Sequence, residues 1–137
     1  MECIEAIKGR RSIRKFKDDA IGEEIINELL EAAMMAPSAG NLQARDFVIV
    51  LNGMIKQKLR EAALNQSFIE YAPVVIVAVA NIGRSARVYG QRGELYAIQD
   101  ATAAVMNLLL AAHSKGLGTC WVGAFEEYMV RDLLGFA

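Results

Sequence analysis

The sequence predicts an α/β or α+β fold in which helices cover a small sheet. Several segments place apolar residues at helical spacing, and the uninterrupted β-branched run at residues 73–80 is typical of a central strand buried on both faces. Strand-like and helix-like segments also alternate along the chain. Together these patterns predict a single domain built around a few short strands.

The longest predicted element is a helix at residues 94–115. Apolar residues recur at helical spacing on one side, and alanine, methionine and leucine fill the opposite side. Lys115 and Gly116 supply a cation in the last turn and a glycine for the left-handed position that follows, so we expect the helix to end there. A helix that is apolar nearly all round must be covered on nearly all sides. In a chain of 137 residues, a second copy is a natural source of that cover.

The remaining elements follow from the same patterns and from the positions of glycine and proline. Further helices are predicted at residues 3–8, 22–35, 54–63 and 126–134, and strands at residues 46–51, 73–80 and 117–125. We expect residues 65–71 to form a polar linker. Residues 81–93, which contain glycine and arginine, are expected to be the most mobile connection.

The composition narrows the classes of function. The net charge is −1, so no overall field attracts the protein to nucleic acid or to a membrane. The longest uncharged apolar run, residues 72–80, is too short to cross a bilayer, and the acidic start does not resemble a signal peptide. Two cysteines without a CxxC pattern and one histidine argue against a disulfide framework and a metal site. These features predict a cytoplasmic protein.

Positive charge is concentrated in one short segment. Residues 10–17 hold five of the 15 basic residues, and Lys8 adds a sixth. One interpretation is a solvated basic run, favourably placed after a helix C-terminus. A nucleic-acid-binding arm is a second, less favoured because only Phe16 supplies an interleaved aromatic ring. The third is a site for a small phosphate, which guanidinium groups beside the Ser12 hydroxyl would bind with paired donors.

A small polar loop at residues 36–43 follows the second predicted helix. It contains Ser38, Asn41 and Gln43, which supply directional donors and acceptors without charge. The loop is either an ordinary helix-to-strand connection made of turn residues or a surface that recognises the edge of a heteroaromatic ring.

The sequence lacks common nucleotide-binding motifs, and its histidine and cysteines are not spaced as in known catalytic groups. No GxGxxG pattern follows a strand, and no Walker A pattern occurs. His113 is expected to partner the C-terminus of the long helix rather than act as a base, and Cys120 to be a small core residue. The basic segment, the polar loop and the glycine turn at Gly123 are therefore expected to hold a cofactor that brings its own chemistry.

Three segments, in this order and at this spacing, resemble the FMN-binding segments of the nitroreductase family. They read Arg-Arg-Ser-Ile-Arg-Lys-Phe at residues 10–16, Ala-Pro-Ser-Ala-Gly-Asn-Leu-Gln at residues 36–43 and Gly-Leu-Gly-Thr-Cys-Trp-Val-Gly-Ala-Phe at residues 116–125. Ala72-Pro73 before the β-branched strand and Gln99-Asp100 early in the long helix agree with the family as well. The resemblance covers essentially the whole chain.

This resemblance implies an α+β, nitroreductase-like three-layer fold: a small mixed sheet flanked by helices, with the long central helix at a homodimer interface. Two FMN molecules would lie at that interface. NADH or NADPH would reduce the flavin, which would then reduce nitroaromatics, quinones or similar small-molecule acceptors in a ping-pong cycle. No acid or base of the protein is obligatory for this chemistry.

The family's site residues are carried over by position. The basic segment would hold the phosphate or the pyrimidine edge of the ring, with Arg11 contributing mainly its backbone: Arg10, Arg11, Ser12 and Arg14. The polar loop would come from the other subunit: Pro37, Ser38, Ala39 and Asn41, with Gln43 close by. The glycine-rich segment would line the ring, with the Gly123 N–H directed at flavin N5: Trp121, Val122, Gly123 and Ala124.

Two departures from the family pattern accompany the resemblance. Many members have Gln-Pro-Trp where this chain has Gln43-Ala44-Arg45, which changes the packing expected near the ring. The family also continues past the last predicted helix with a strand, basic phosphate contacts and a tail, so we expect one domain, residues 1–137, that lacks this C-terminal segment and retains FMN less firmly. Two alternatives stay open: a flavin-binding or ligand-binding module without efficient turnover, and a specialised relative that performs reductive dehalogenation or flavin breakdown.

Overall fold

A computed structural model describes residues 1–136 of the chain. The described residues form seven α-helices, two strands and two short 3₁₀ turns (Ala39–Asn41 and Gly90–Arg92). In chain order the helices and strands are α1 (Cys3–Gly9), α2 (Glu23–Met34), β1 (Arg45–Val50), α3 (Gly53–Ala62), α4 (Phe68–Tyr71), β2 (Val75–Ala80), α5 (Ile82–Tyr89), α6 (Gly93–Ser114) and α7 (Glu127–Leu134). Strands β1 and β2 pair with each other. The Asn81 N–H donates to the Ala44 carbonyl at 2.9 Å, so the end of β2 lies beside the start of β1, as in an antiparallel pair.

The chain divides into two compact units. The first contains Met1–Arg10, Gly22–Val48 and Val77–Leu117, and in it α6 packs against α1, α2 and α5. The second contains Arg11–Ile21, Ile49–Ile76 and the residues from Gly118 onward, and in it α3 packs against α4 and α7. The organisation of residues 1–137 as one domain stays a prediction.

The core of the first unit is formed where α6 meets its neighbouring helices. Small residues on α6 are fully buried, which lets other helices approach closely: Ala97, Ala101, Ala104 and Ala112. Ile26, Leu29 and Ala33 recur at helical spacing and form the buried side of α2. The described residues leave one face of α6 partly uncovered, since Leu95 and Ile98 are 45% and 48% exposed.

The prediction of an irregular connection at residues 81–93 is wrong, because helix α5 and a 3₁₀ turn occupy most of it. Asn81 accepts a hydrogen bond from the Arg84 N–H through its side chain at 3.0 Å and so caps α5. Gly90, with φ of 56°, ends that helix in a conformation that favours glycine. Asn81 at the start and Gly90 at the end therefore bound a regular helix. The predicted linker at residues 65–71 likewise ends in helix α4.

The prediction of a buried strand at residues 117–125 is also wrong. Only Thr119 is paired in β fashion among the described residues of this segment, in an isolated parallel bridge with Ser12. A strand needs a partner along its length, and the neighbouring segment supplies one residue pair. Trp121 is 47% exposed, so the segment is an extended surface loop rather than part of the core.

Among the described residues, the helical stretch Ile82–Ser114 is long and apolar enough, by length and composition alone, to cross a membrane, with a mean hydropathy of 1.3. This stretch includes α6, whose buried side packs on three helices of its own unit. Such packing is the behaviour of a core helix in a folded domain.

Candidate functional site

The basic segment begins at the end of α1. Arg10 follows the helix, and its backbone N–H donates to the Ala6 carbonyl at 3.0 Å. Its side chain is half-buried. Its position in the first turn after a helix places a cation where the helix dipole favours one.

The second unit joins the rest of the basic segment to the glycine-rich segment. Ser12 forms a parallel bridge with Thr119, and the Ile13 N–H donates to the Thr119 carbonyl at 2.8 Å. Gly118 permits this approach, because a Cβ built there would lie 3.0 Å from the Ile13 side chain. The exposed Arg14 carries its guanidinium carbon 6.0 Å from the centre of the Phe68 ring. Ser12 and Arg14 thus lie on a strand-like segment beside the predicted flavin-lining residues.

The glycine-rich segment is held at both ends. Beyond the bridge at Thr119, the Ala124 carbonyl accepts a hydrogen bond from Gln66 Nε2 at 3.0 Å. The Glu126 N–H donates to the Ala62 carbonyl at 2.9 Å. Between these anchors Val122 is half-buried, whereas the other three predicted contacts are exposed: Trp121, Gly123 and Ala124. An exposed glycine in an anchored loop lets a flat ligand approach the backbone closely.

The polar loop lies in the first unit and has an unusual backbone. Gly40, Asn41 and Gln43 adopt φ values of 59°, 56° and 53°, in the left-handed region. Side chains hold this backbone: Ser38 Oγ accepts from the Gln43 N–H at 3.1 Å. The Ala39 N–H donates to Asp100 Oδ1, also at 3.1 Å. The loop is therefore a pre-formed surface rather than a loose connection.

Arg45 is the functional neighbour that sequence reasoning missed. It stands where many family members carry tryptophan, and its side chain is buried, with 1% of the residue exposed. Its guanidinium donates to four backbone carbonyls and one side-chain carbonyl: Met34, Ala36, Pro37 and Asp100, at 3.2, 2.6, 3.1 and 2.9 Å, and Gln43 Oε1 at 2.7 Å. The sequence signal for this role is an arginine at the start of a strand whose last four residues are apolar.

Arg45 is positively charged although its side chain is buried. Burial lowers the pKa of the Arg45 guanidinium, and the Asp100 carboxylate opposes that effect by raising it. Guanidinium nevertheless stays protonated in proteins, so the carbonyl oxygens around it replace the water that burial removes. Arg45 Nε and Asp100 Oδ2 have no hydrogen-bond partner among residues 1–136. The polar loop is thus built around a buried cation.

His113 and Cys120 are the two residues considered for conventional catalysis. His113 lies outside the three site segments, and Cys120 is half-buried within the glycine-rich segment. The His113 ring lies against Gly9, where a Cβ would be 2.9 Å from Nε2. Cys120 is half-buried, and its thiol donates to the Trp121 carbonyl at 3.6 Å. Among the described residues, no group of three or more His, Cys, Asp or Glu side chains is placed to hold a metal ion.

The donors on these segments fit FMN. Arg10 and Arg14 provide cations suited to a phosphate, and Ser38 and Asn41 provide uncharged groups suited to a ring edge. Gly123 leaves backbone exposed for contact with the ring face. The predicted site residues are divided between the two units: Arg10 and the polar loop belong to the first, and the others to the second.

Comparison with known proteins identifies the family of the chain. The sequence model that describes the nitroreductase family matches residues 7–67 and 60–137 of this chain. A protein of Archaeoglobus fulgidus whose name includes NAD(P)H nitroreductase is 39% identical, over 98% of this chain and 76% of its own length. The solved structure of nitroreductase A from Vibrio parahaemolyticus is 31% identical with a TM-score of 0.89, covering 98% of this chain and 60% of that one.

The name of a third relative includes FMN. The structure of NADPH:FMN oxidoreductase from Vibrio harveyi, complexed with NAD⁺, is 30% identical with a TM-score of 0.88. It matches 97% of this chain and 61% of its own, so the chain spans about three fifths of each of these two solved structures. The predicted nitroreductase-like α+β fold, with its small sheet and long helix, is confirmed by these matches. The chain belongs to the nitroreductase family.

Proposed function

We propose that this chain is an FMN-dependent oxidoreductase that takes hydride from NADH or NADPH and reduces nitroaromatic, quinone or similar acceptors by a ping-pong mechanism. The observation that carries the proposal is the pairing of Ser12 with Thr119, which brings the basic segment beside the glycine-rich segment. The name of the Vibrio harveyi relative supports both FMN and a nicotinamide nucleotide. The alternating order of the two half-reactions and the acceptor class rest on the family resemblance.

The basic and glycine-rich segments divide the binding of the cofactor. Arg10, Ser12 and Arg14 would hold the phosphate or the pyrimidine edge, because guanidinium groups bind such anions with paired donors. Arg11 would contribute its backbone. The exposed loop around Gly123 would line the ring: Trp121, Val122, Gly123 and Ala124. The Gly123 N–H would orient the ring at N5.

The polar loop would reach the cofactor of the other protomer. Its exposed or half-exposed members would make this contact: Pro37, Ser38, Ala39 and Asn41. Several polar groups of the loop are already used within the chain, among them the Ala39 N–H on Asp100 and the Gln43 Oε1 on Arg45. Gln43 therefore supports the loop in addition to lying near the ring.

FMN would supply the redox chemistry when bound, and the protein would bind, orient and shield it. Cations near a ring that gains negative charge on reduction stabilise the reduced form. A backbone donor fixes the ring relative to the incoming nucleotide, and this positioning supplies much of the rate. His113 and Cys120 have no required part in such a mechanism.

Replacing Arg10 by alanine is expected to weaken FMN binding. The change removes a charge-assisted contact worth about 1.5–3 kcal/mol, which corresponds to roughly tenfold to hundredfold in Kd. Titration of the apoprotein with FMN, followed by quenching of flavin fluorescence, measures the effect. Arg87→Ala, at an exposed arginine on α5, is the control for loss of one positive charge. Equal affinities in Arg10→Ala and wild type would instead support the solvated basic run.

The uncovered face of α6 supports a homodimer as part of the proposal. Leu95 and Ile98 lie on it, and adjacent exposed apolar residues of this kind favour association with another apolar surface. The missing half of each FMN site would then come from the second copy. We further propose that this dimer is cytoplasmic.

Ile98→Glu is expected to shift the protein towards monomer, because it places a charge on the proposed interface without changing a residue buried within the chain. Sedimentation velocity at micromolar concentration measures the distribution. Leu64→Glu, at an apolar residue that is 65% exposed outside α6, is the matched control. A folded wild-type monomer under these conditions contradicts the dimer.

A further inference from the structure

We propose that Arg45 is a positioning residue that fixes the hydrogen-bond polarity of the polar loop. Acting through Gln43, it makes Asn41 present its amide N–H groups outward, so that Asn41 selects a ligand that places a hydrogen-bond acceptor, such as a carbonyl oxygen, against it. The inference deepens the proposed function and rests on it only for the identity of the ligand.

The first step is the fixed polarity of arginine. A guanidinium can donate hydrogen bonds but cannot accept them. Gln43 therefore has to turn its carbonyl oxygen towards Arg45, and Oε1 lies 2.7 Å from the guanidinium. The other end of the same amide, Nε2, then points the opposite way.

The second step passes this polarity to Asn41. Gln43 Nε2 donates to Asn41 Oδ1 at 2.9 Å. With its oxygen engaged by Gln43, the exposed Asn41 is left with its two amide N–H donors for an outside partner. Ser38 behaves alike, since its Oγ accepts from the Gln43 N–H and its hydroxyl hydrogen remains able to donate.

The third step is the rigidity of the relay. Arg45 is 1% exposed and is held by carbonyls of α2, of the loop and of α6, so the guanidinium cannot turn away. Gln43 is constrained from its backbone too, because its carbonyl accepts from both the Arg45 N–H and Arg84. A ligand therefore meets a surface whose donors are already oriented.

The ligand chemistry follows from these donors. Carbonyl oxygens and unprotonated ring nitrogens accept from an amide N–H, whereas ring N–H groups do not. The pyrimidine-dione edge of a flavin carries two carbonyl oxygens, one on each side of a ring N–H, and the Asn41 amide can donate to either oxygen. An edge made of donors, such as a protonated amine, would face unpaired N–H groups and bind poorly.

Gln43→Glu tests the relay without emptying the buried site. A glutamate keeps its pairing with Arg45 but cannot donate to Asn41, so Asn41 should turn its N–H groups inward and expose its oxygen. We expect affinity for FMN to fall about tenfold to hundredfold. Gln57→Glu, at an exposed glutamine on α3, carries the same charge change and should bind as wild type.

Binding of riboflavin distinguishes an effect of hydrogen-bond polarity at the ring edge from repulsion between the added glutamate and the phosphate, because riboflavin has the same ring edge but no phosphate. An equal fold-loss for FMN and riboflavin supports the relay. A loss confined to FMN would show that the added charge repels the phosphate, and would overturn the proposal.

Side-chain amide exchange in the ¹⁵N-labelled apoprotein gives a readout without any ligand. In wild type the Gln43 amide hydrogens should exchange slowly and those of Asn41 quickly; in Gln43→Glu the Asn41 amide should become protected. Arg45→Lys should keep the wild-type pattern, because an ammonium group can also only donate. Unchanged Asn41 exchange in Gln43→Glu would overturn the relay. Normal relay behaviour in a protein that binds no flavin would instead overturn the proposed function alone.

Discussion

Arg45→Met is expected to lower the free energy of unfolding by about 3–5 kcal/mol, the usual loss when one member of a buried charged network is removed. The substitution leaves the buried carbonyls of Ala36, Pro37 and Asp100 without the donor that Arg45 supplies. It also leaves the Asp100 carboxylate without its compensating cation. Urea unfolding, with the slope and the midpoint both fitted, measures the loss.

The control for Arg45→Met is Arg87→Met on the exposed surface of α5. Surface substitutions of this kind usually change stability by less than about 0.5 kcal/mol. Similar stabilities for the two variants would contradict the role given to Arg45, because both remove one arginine and only one removes the buried network.

Gly93→Ala is expected to destabilise the protein by about 1–3 kcal/mol, although alanine normally favours a helix. Gly93 is the first residue of α6, where a Cβ would lie 2.5 Å from the backbone N and Cα of Ala86. Backbone atoms cannot move aside as the end of a flexible side chain can. Helices α5 and α6 would therefore have to separate, with loss of their packing.

Gly53→Ala is the matched control, because Gly53 is the first residue of α3 and has no atom within 4 Å of an added Cβ. There the same substitution should stabilise by a few tenths of a kcal/mol up to about 1 kcal/mol. The two changes thus have opposite signs at equivalent helix positions. Equal effects in thermal unfolding would mean that the close approach of α5 and α6 does not depend on glycine.

Apolar periodicity was enough to predict most of the helices. The buried stripe of α2 and the long α6 were both evident because burial selects residues at helical spacing. Helix α5 was missed because short polar signals define it. Asn81 caps the start of this helix and Gly90 ends it. Asparagine and glycine are equally common in turns, so these two residues alone do not distinguish a helix from a turn.

The strand predicted at residues 117–125 failed for a different reason. Local composition there favours extended backbone, but whether extended backbone becomes a strand depends on a partner elsewhere in the chain. The Ser12–Thr119 bridge is the extent of β pairing in that segment among the described residues. The three site segments could be proposed from the sequence because their residue types are suited to the chemistry, and their role stays a prediction.

Arg45 could not be interpreted from sequence because its role is set by distant backbone. Its acceptors come from the end of α2, from the polar loop and from Asp100 on α6, which is 55 residues away along the chain. Only the fold brings these carbonyls together around one position. From sequence alone, Arg45 was simply a residue unlike the family's usual tryptophan.

Reduction of bound FMN by a nicotinamide nucleotide is the most direct test of the proposed oxidoreductase. The protein is saturated with FMN, freed of excess cofactor and mixed anaerobically with NADH or with NADPH while the flavin absorbance is recorded. We expect at least one nucleotide to bleach the visible band, and a quinone added afterwards to restore it. Firmly bound FMN that neither nucleotide bleaches would contradict the proposed activity and would favour a flavin-binding module without turnover.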